Sequence, residues 1–293
     1  MRVGTRGSAL ALAQASTVAA LLGPDAELVP ITTSGDRDSG RAQIDKERWV
    51  KELELALLAG EIDLAVHSAK DVPSELPEGL KLAGAPLRED PFDALVGAYA
   101  VAELPEGARV GTASVRRAAQ LRSLRDDLEI VSVRGNVDTR LRLLESRELD
   151  ALVLAGAGLR RLDREEAIGC VLSDLVPAPG QGTLALEMRV ADDAALAAIR
   201  AISDAPTWDA LQAERALVAR LQASCNTPLG ALATVDEAGV VVETWVGLPD
   251  GSAWVHDTTA PAASPEQAGA LAAERVLAAG GGDLLRRAEE LAE

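Results

Sequence analysis

Four arginines that lie close together are the residues of this sequence best suited to binding chemistry. Arg116 and Arg117 are adjacent, and Arg134 and Arg140 follow soon after along the chain. A guanidinium group stays protonated, and its planar fork pairs with a carboxylate or phosphate through two hydrogen bonds. The cluster therefore indicates a binding site for a small polyanion. The alternative is a solvated helix face on which each arginine pairs with an acidic neighbour.

A second set of reactive side chains lies in the run that holds His67, Lys70 and Asp71, just before Pro73. The proline favours an extended chain at the residue before it. A carboxylate in a basic site can stabilise a cation or exchange a proton, whereas a surface ion pair contributes little energy. The residues alone leave both interpretations open. We expect His67 to be a hydrogen-bonded structural side chain.

The composition excludes several classes of function. The chain has 29 Lys and Arg against 46 Asp and Glu, a net charge of −17, which argues against a nucleic-acid partner. No apolar run is long enough to span a membrane. Two histidines and two cysteines form no cluster, so we expect no metal site and a cytoplasmic protein without a disulfide framework. Of the two thiols, Cys225 is the better functional candidate, because it follows a long helix among small polar residues, whereas Cys170 lies in an apolar run.

Strand and helix patterns alternate through the first two-thirds of the chain, which predicts an α/β fold with parallel sheets flanked by helices. Both arginine groups follow strand ends, where ligands bind in such sheets. Ser114 can cap the helix that carries Arg116 and Arg117, and Gly135 permits a positive φ. The predicted strands span 3–5, 28–33, 63–67, 109–112, 129–133 and 151–155, and the predicted helices span 9–22, 49–59, 115–124 and 137–147.

Proline and glycine clusters divide the chain into three predicted domains. The first comprises residues 1–88 plus about 183–204, and the second comprises 91–178 with the arginine-rich face. The third, 206–293, is a small α+β domain with a long helix at 208–222 and strands at 231–235, 240–246 and 253–258.

Seven motifs, in order from Arg2 to about Gly230, resemble the porphobilinogen deaminase (hydroxymethylbilane synthase) family. They are T-R-G-S-A-L-A-L-A-Q (5–14), V-K-E-L-E (50–54), A-V-H-S-A-K-D-V-P (65–73), R-E-D-P (88–91), G-T-A-S-V-R-R (111–117), R-G-N-V-D-T-R-L (134–141) and G-Q-G (180–182). The resemblance implies two periplasmic-binding-protein-like domains and a third small domain. It also implies a transferase of tetrapyrrole (porphyrin and haem) biosynthesis, which joins four porphobilinogen molecules head to tail into hydroxymethylbilane with release of ammonia.

The resemblance further implies a dipyrromethane cofactor, thioether-linked to Cys225, and assigns roles to matching residues. Asp71 matches the catalytic carboxylate, which would stabilise the azafulvene cation left when ammonia departs. The positions matching cofactor contacts are Lys70, Asp71, Thr112, Ser114, Arg116, Arg117, Arg134 and Gly135. Those matching substrate contacts are Arg6, Ser8, Arg134, Arg140 and Arg161. The resemblance implies porphobilinogen as the small-molecule substrate, and we expect a monomer.

The sequence departs from the family pattern in places. Lys46 and Trp49 keep the cation and the aromatic residue of the family's lid, but charged residues replace its usual glycines, which leaves the lid's contacts open. Ala223 and Ser224 replace the common Gly-Gly before Cys225. A non-catalytic anion-binding module would explain the arginines but neither Lys70-Asp71 nor the third domain. A phosphate-handling transferase would need a P-loop, which the sequence lacks.

Overall fold

A computed structural model of the chain describes residues 1–33, 47–223 and 227–291. Within them the strands form two five-stranded sheets and one three-stranded sheet. The strands are β1 Arg2–Arg6, β2 Glu27–Ile31, β3 Leu64–Ser68, β4 Leu80–Gly84, β5 Asp93–Val96, β6 Arg109–Gly111, β7 Glu129–Val131, β8 Ala151–Ala155, β9 Cys170–Leu172, β10 Leu184–Arg189, β11 Leu229–Asp236, β12 Gly239–Gly247 and β13 Trp254–Thr258. The α-helices are α1 Ala9–Leu22, α2 Glu47–Leu58, α3 Val115–Leu124, α4 Val137–Glu145, α5 Gly156–Arg161, α6 Asp193–Ile202, α7 Ala205–Leu221, α8 Pro265–Ala278 and α9 Gly281–Glu290.

The two five-stranded sheets are wound in the same way. The first has the order β2-β1-β3-β10-β4, and the second has the order β7-β6-β8-β5-β9. Four strands of each sheet run in the same direction, but β10 and β5 are antiparallel to both of their neighbours. The α/β class is confirmed, whereas the prediction of parallel sheets was wrong for these strands. Each of them follows a crossing of the chain from the other sheet and enters in the reverse direction.

Side-chain caps begin the helices that follow β1, β6 and β7. Ser8 caps α1 by accepting a hydrogen bond from the backbone N–H of Ala11 at 3.3 Å. Ser114 caps α3 and Asn136 caps α4 in the same way. Such caps satisfy backbone donors that have no partner within the helix. They place the first turns of these helices at the carboxyl ends of β1, β6 and β7.

The chain crosses between the large sheets twice, first at residues 85–92 and again at residues 173–183, and the two crossings run side by side. The backbone N–H of Glu89 on the first crossing donates to the carbonyl of Gly182 on the second at 3.3 Å. Gly182 has a φ of +85°, and a Cβ there would lie 2.3 Å from the Glu89 carbonyl oxygen. Only glycine fits this close approach. The crossings therefore form one connected segment between the sheets.

The three-stranded sheet packs with helices α7, α8 and α9 around its own apolar core. Glu214 of α7 is fully buried and connects this unit to both crossings. Its carboxylate accepts from Arg88 Nη1 at 2.7 Å, from the Gly180 N–H at 2.5 Å and from the Ala233 N–H at 2.8 Å. The three sheets support the predicted division into domains, whose boundaries stay a prediction. None of the described helices is both long and apolar enough to cross a bilayer.

Candidate functional site

Arg116 and Arg117 lie on the first turn of α3 and share one buried carboxylate, that of Asp93 at the start of β5. Arg116 Nη2 donates to Asp93 Oδ2 at 2.8 Å, and Arg117 Nε donates to Asp93 Oδ1 at 2.9 Å. Backbone carbonyls of Val176 and Val153 accept further bonds from the two guanidinium groups at 2.8 and 3.1 Å. Each arginine is less than a tenth exposed. They are therefore not a solvated helix face.

The charges of this cluster do not cancel. Burial alone would raise the pKa of Asp93, but Arg116 and Arg117 outweigh it and hold that pKa far below its usual value. Burial lowers the pKa of Arg116; Asp93 opposes that shift, and the charge of Arg117 adds to it. Two guanidinium groups face one carboxylate, and the Nε atom of Arg116 is buried with no hydrogen-bond partner in the described part of the chain. The cluster thus keeps a net positive charge.

Hydroxyl groups border the arginine pair where β6 ends and α3 begins. Ser114 Oγ accepts from the Arg117 N–H at 3.4 Å, and Thr112 Oγ1 accepts from the Ser114 N–H at 3.2 Å. Thr112 is buried, and Ser114 is half-buried. The site residues predicted in this motif therefore lie together at one helix start, where the helix dipole also favours an anion.

Lys70 and Asp71 follow β3 in a single 3-10 turn, Ala69–Asp71. The second crossing holds this turn in place, because the Ala69 N–H donates to the carbonyl of Thr183 at 3.0 Å. Gly180 lies so close that a Cβ there would be 2.9 Å from the backbone nitrogen of Lys70. Both Lys70 and Asp71 are half-buried. They lie at the carboxyl end of a strand of the first sheet, as predicted.

The Lys70 ammonium lies in an environment that disfavours its charge. Burial lowers the pKa of Lys70 to about 8; Asp71 opposes this shift, and the charges of Arg117 and Arg116 add to it. Within the described residues Lys70 has no side-chain hydrogen bond or ion pair. The electrostatic coupling links Lys70, after the first sheet, to the arginine pair of the second sheet. An anion bound here would neutralise cations from both sheets.

Arg140 and Arg161 add two further cations, one coupled to Arg117 and one bonded to the second crossing. Burial and the charge of Arg117 lower the pKa of Arg140, whose Nε is buried without a partner among the described residues. Arg161 Nη2 donates to the carbonyl of Gly182 on the second crossing at 2.6 Å. Burial lowers its pKa as well, although Glu89 opposes the shift. Neither arginine has a carboxylate hydrogen-bonded to it in the described part of the chain.

The other predicted binding residues lie at the ends of β1 and β7. Arg6 ends β1 and is half-buried, close in sequence to the capping residue Ser8. Arg134 is exposed in the turn before α4. Gly135 has a φ of +109°, which confirms the expected positive φ.

Several predicted residues fall outside the described part of the chain. Cys225, Lys46 and the side chain of Trp49 are among them. Cys170 is described and half-buried, with its Sγ donating to the carbonyl of Val171 at 3.3 Å. The cofactor and lid assignments therefore stay predictions.

His67 has the structural environment that was expected from the sequence. Its Nε2 lies 2.9 Å from Glu187 Oε2, and both side chains are nearly completely buried. This contact joins β3 to β10 beneath the Lys70–Asp71 turn. No group of three His, Cys, Asp or Glu residues in the described ranges could hold a metal ion.

Sequence reasoning missed Asp93 and Gln181, which complete the arginine cluster. Gln181 Nε2 donates to Asp93 Oδ1 at 2.8 Å, and its Oε1 accepts from Arg117 Nη2 at 3.4 Å. The one available signal was an aspartate within the apolar run that forms β5. Nothing local connects it with arginines more than twenty residues away.

Fold and site together define a class of protein: an α/β protein whose two large sheets bring buried, incompletely neutralised cations to one region. Comparison with known proteins gives the family. The family model "Porphobilinogen deaminase, dipyromethane cofactor binding domain" matches residues 1–197, and the model "Porphobilinogen deaminase, C-terminal domain" matches residues 208–278. The chain therefore belongs to the porphobilinogen deaminase family, and it is a transferase.

Curated relatives agree over nearly the full chain. Porphobilinogen deaminase from Syntrophotalea carbinolica is 49% identical and covers 97% of this chain and 95% of its own. That from Deinococcus radiodurans is 47% identical and covers 88% of each chain. Among solved structures, a periplasmic substrate-binding protein of an ABC transporter from Coxiella burnetii is 12% identical with a TM-score of 0.44, covering 71% of this chain and 93% of its own.

Proposed function

We propose that this chain joins four porphobilinogen molecules head to tail into hydroxymethylbilane on a dipyrromethane primer, in tetrapyrrole biosynthesis. In each addition the carbon–nitrogen bond of an aminomethyl group breaks and ammonia leaves. A carbon–carbon bond forms to the free α-carbon of the neighbouring pyrrole, and that carbon loses its proton. Water finally releases the linear product. The match of both family models over most of the chain supports this reaction.

The observation that carries the proposal is the set of cations whose hydrogen-bonding capacity or charge is not fully satisfied within the described residues. Arg116 Nε and Arg140 Nε are buried without hydrogen bonds, and Lys70 has neither a hydrogen bond nor an ion pair among the described residues. Leaving a buried donor unsatisfied costs about 1–3 kcal/mol, and more when the group is charged. Each pyrrole ring of substrate and primer carries an acetate and a propionate. Their carboxylates supply the acceptors and the negative charge that this site lacks.

The residues around the arginine pair fit the primer. We expect Lys70, Ser114, Arg116 and Arg117 to hold its carboxylates, because these four groups lie on two elements that the structure brings together. Further contacts are proposed for Thr112, at the end of β6, and for Arg134 and Gly135, which follow β7. The attachment point is proposed to be the thiol of Cys225, through a thioether. When bound, the primer supplies the pyrrole carbon to which the first substrate is joined.

The incoming substrate and the lengthening chain are assigned to cations farther from the pair. Arg140 and Arg161 supply two of them, and Arg6 and Ser8, at the end of β1, supply a cation and a hydroxyl. Arg134 is proposed to serve both primer and substrate. We expect the enzyme to act as a cytoplasmic monomer on a small-molecule substrate, with no nucleic-acid or membrane partner.

Asp71 is proposed as the catalytic carboxylate. Asp71 is the acidic residue of the 3-10 turn that follows β3, next to Lys70, and this position supports the assignment. Departure of ammonia leaves a positive charge spread over the substrate's pyrrole ring. A carboxylate fixed within hydrogen-bond reach of the pyrrole N–H stabilises that charge as it develops.

Replacing Asp71 with asparagine tests this assignment, since asparagine keeps the shape and removes the charge. We expect porphobilinogen consumption by Asp71→Asn to fall by about 10²–10³-fold, the usual effect of losing one key electrostatic group. Asp71→Glu keeps the charge and should retain more activity. Asp126→Asn, at an exposed position in the turn after α3, is the matched control and should match the unchanged protein. Near-normal turnover by Asp71→Asn would place the catalytic carboxylate elsewhere.

A further inference from the structure

Gln181 is a buried amide whose hydrogen-bonding groups all have partners in the structure. It is 1% exposed, and its Nε2 donates to the carbonyl of Pro91 at 2.7 Å and to Asp93 Oδ1 at 2.8 Å. Its Oε1 accepts from Arg117 Nη2 at 3.4 Å. The flipped amide would place its NH₂ group against a guanidinium donor and its oxygen against two acceptors. One orientation of the side chain is therefore strongly preferred.

Asp93 depends on this amide. Arg116 binds its Oδ2, while Oδ1 is shared by Arg117 and Gln181. Asp93 is fully buried, so each of these donors offsets the loss of water around the carboxylate. Without Gln181, Asp93 Oδ1 would lose a neutral hydrogen-bond donor, and the Arg117 guanidinium would lose the acceptor Gln181 Oε1. The amide therefore helps to determine where the Arg117 guanidinium points.

Gln181 also belongs to the connection between the two large sheets. Its backbone carbonyl accepts from Arg88 Nε of the first crossing at 2.9 Å. The glycines on either side, Gly180 and Gly182, have φ values of +76° and +85°, a backbone shape that other residues rarely adopt. The position of the Gln181 side chain is thus tied to both crossings.

We propose that Asp93 and Gln181 are positioning residues, which fix the guanidinium groups of Arg116 and Arg117 before an anionic ligand arrives and tie their orientation to the chain crossings. This inference rests on the proposed function, in which the two arginines hold ligand carboxylates. Preorganisation strengthens binding because the ligand does not have to order the side chains. Ordering one long side chain at the moment of binding weakens association by about two- to twelvefold.

The test compares Gln181→Met, which keeps the length of the side chain and removes its hydrogen bonds, with the unchanged full-length enzyme. The first measurement is the hydrogen-exchange rate of the Arg117 Nε–H by ¹⁵N NMR, with the signal assigned from Arg117→Lys. We expect exchange at least tenfold faster in Gln181→Met, because the contact with Asp93 loosens. The second measurement is the concentration of porphobilinogen that loads half of the cofactor-free protein with dipyrromethane in a fixed time, read from intact-mass spectra. This half-loading concentration should rise about two- to twelvefold.

Gln120→Met is the matched control. Gln120 is also a buried glutamine, 2% exposed, but among the described residues its side-chain amide bonds only to the backbone of Val176. Gln120→Met should lower the melting temperature while the exchange rate of the Arg117 signal and the half-loading concentration stay within twofold of the values for the unchanged enzyme. A purely structural role for Gln181 would give the same pattern in Gln181→Met, and that result would overturn the proposal.

Gln181→Glu covers the case in which Gln181→Met fails to fold. It keeps an acceptor for Arg117 and removes the donors to Asp93 and Pro91, so the same two changes are expected. An unchanged exchange rate and an unchanged half-loading concentration in Gln181→Glu would overturn the proposal. The hydrogen-exchange measurement does not require the protein to turn over porphobilinogen. If the unchanged protein consumed no porphobilinogen, the proposed function would fail, while the exchange rates would still decide whether Gln181 positions Arg117.

Discussion

Replacing Glu214 with glutamine should lower the thermal stability of the protein by several degrees. Its carboxylate is fully buried and receives hydrogen bonds from the Arg88 guanidinium and from the backbone N–H groups of Gly180 and Ala233. The substitution leaves the Arg88 charge without its counter-ion, and the new NH₂ group faces donors. Removing one partner of a buried ion pair costs about 3–5 kcal/mol.

The size of the shift follows from the chain length. An unfolding entropy of about 2.1 cal/mol/K per residue gives about 0.6 kcal/mol/K for 293 residues. A loss of about 3–5 kcal/mol then corresponds to a decrease in Tm of about 5–8 °C. Differential scanning calorimetry measures it. Combining Arg88→Met with Glu214→Gln should cost less than the two single changes added together, because both remove the same contact.

Glu290→Gln provides the control for Glu214→Gln, because it makes the same substitution in an ion pair of similar length. Arg286 lies 2.8 Å from Glu290, but both side chains are 62% exposed. Exposed pairs contribute little to stability, so its Tm should fall by less than about 2 °C. Equal decreases in Tm for Glu290→Gln and Glu214→Gln would refute the view that Glu214 holds the crossings to the third sheet.

Two further predictions concern the thiol and the lysine of the site. Cys225→Ser should lack the added mass of dipyrromethane in an intact-mass spectrum, because an alcohol is a far weaker nucleophile than a thiolate. The control variant Cys170→Ser should keep that mass. An adduct that persists in Cys225→Ser would disprove attachment at Cys225. The pKa of Lys70 is 10.5 in the unfolded chain and about 8 in the folded protein. Unfolding therefore takes up a proton between these pH values, and the cost of burying the charged ammonium disappears as the pH rises through this range. Lys70→Met in the Cys225→Ser background should therefore stabilise the protein most below pH 8 and less at pH 10, and a gain in urea midpoint that does not change with pH would contradict this.

Local patterns predicted much of the fold, and they did so where the structural signal is short-ranged. Helices α1 and α3 and strand β8 begin and end where the sequence predicted, because a capping serine or an apolar run of fixed length determines them locally. Strands β5 and β10 were not predicted. Their direction depends on how the chain enters each sheet after a crossing, which no local pattern records.

The sequence by itself determined the α/β class, the cationic character of the site and, through motifs matched in order, the family. Only the tertiary structure showed that Asp93 and Gln181, which are 88 residues apart, meet at Arg117. The same is true of Glu214, which is 126 residues from its partner Arg88. Spacing along a chain reports which side chains share a helix face or a strand end. Contacts between distant segments depend on how the sheets and crossings pack, and no local pattern contains that information.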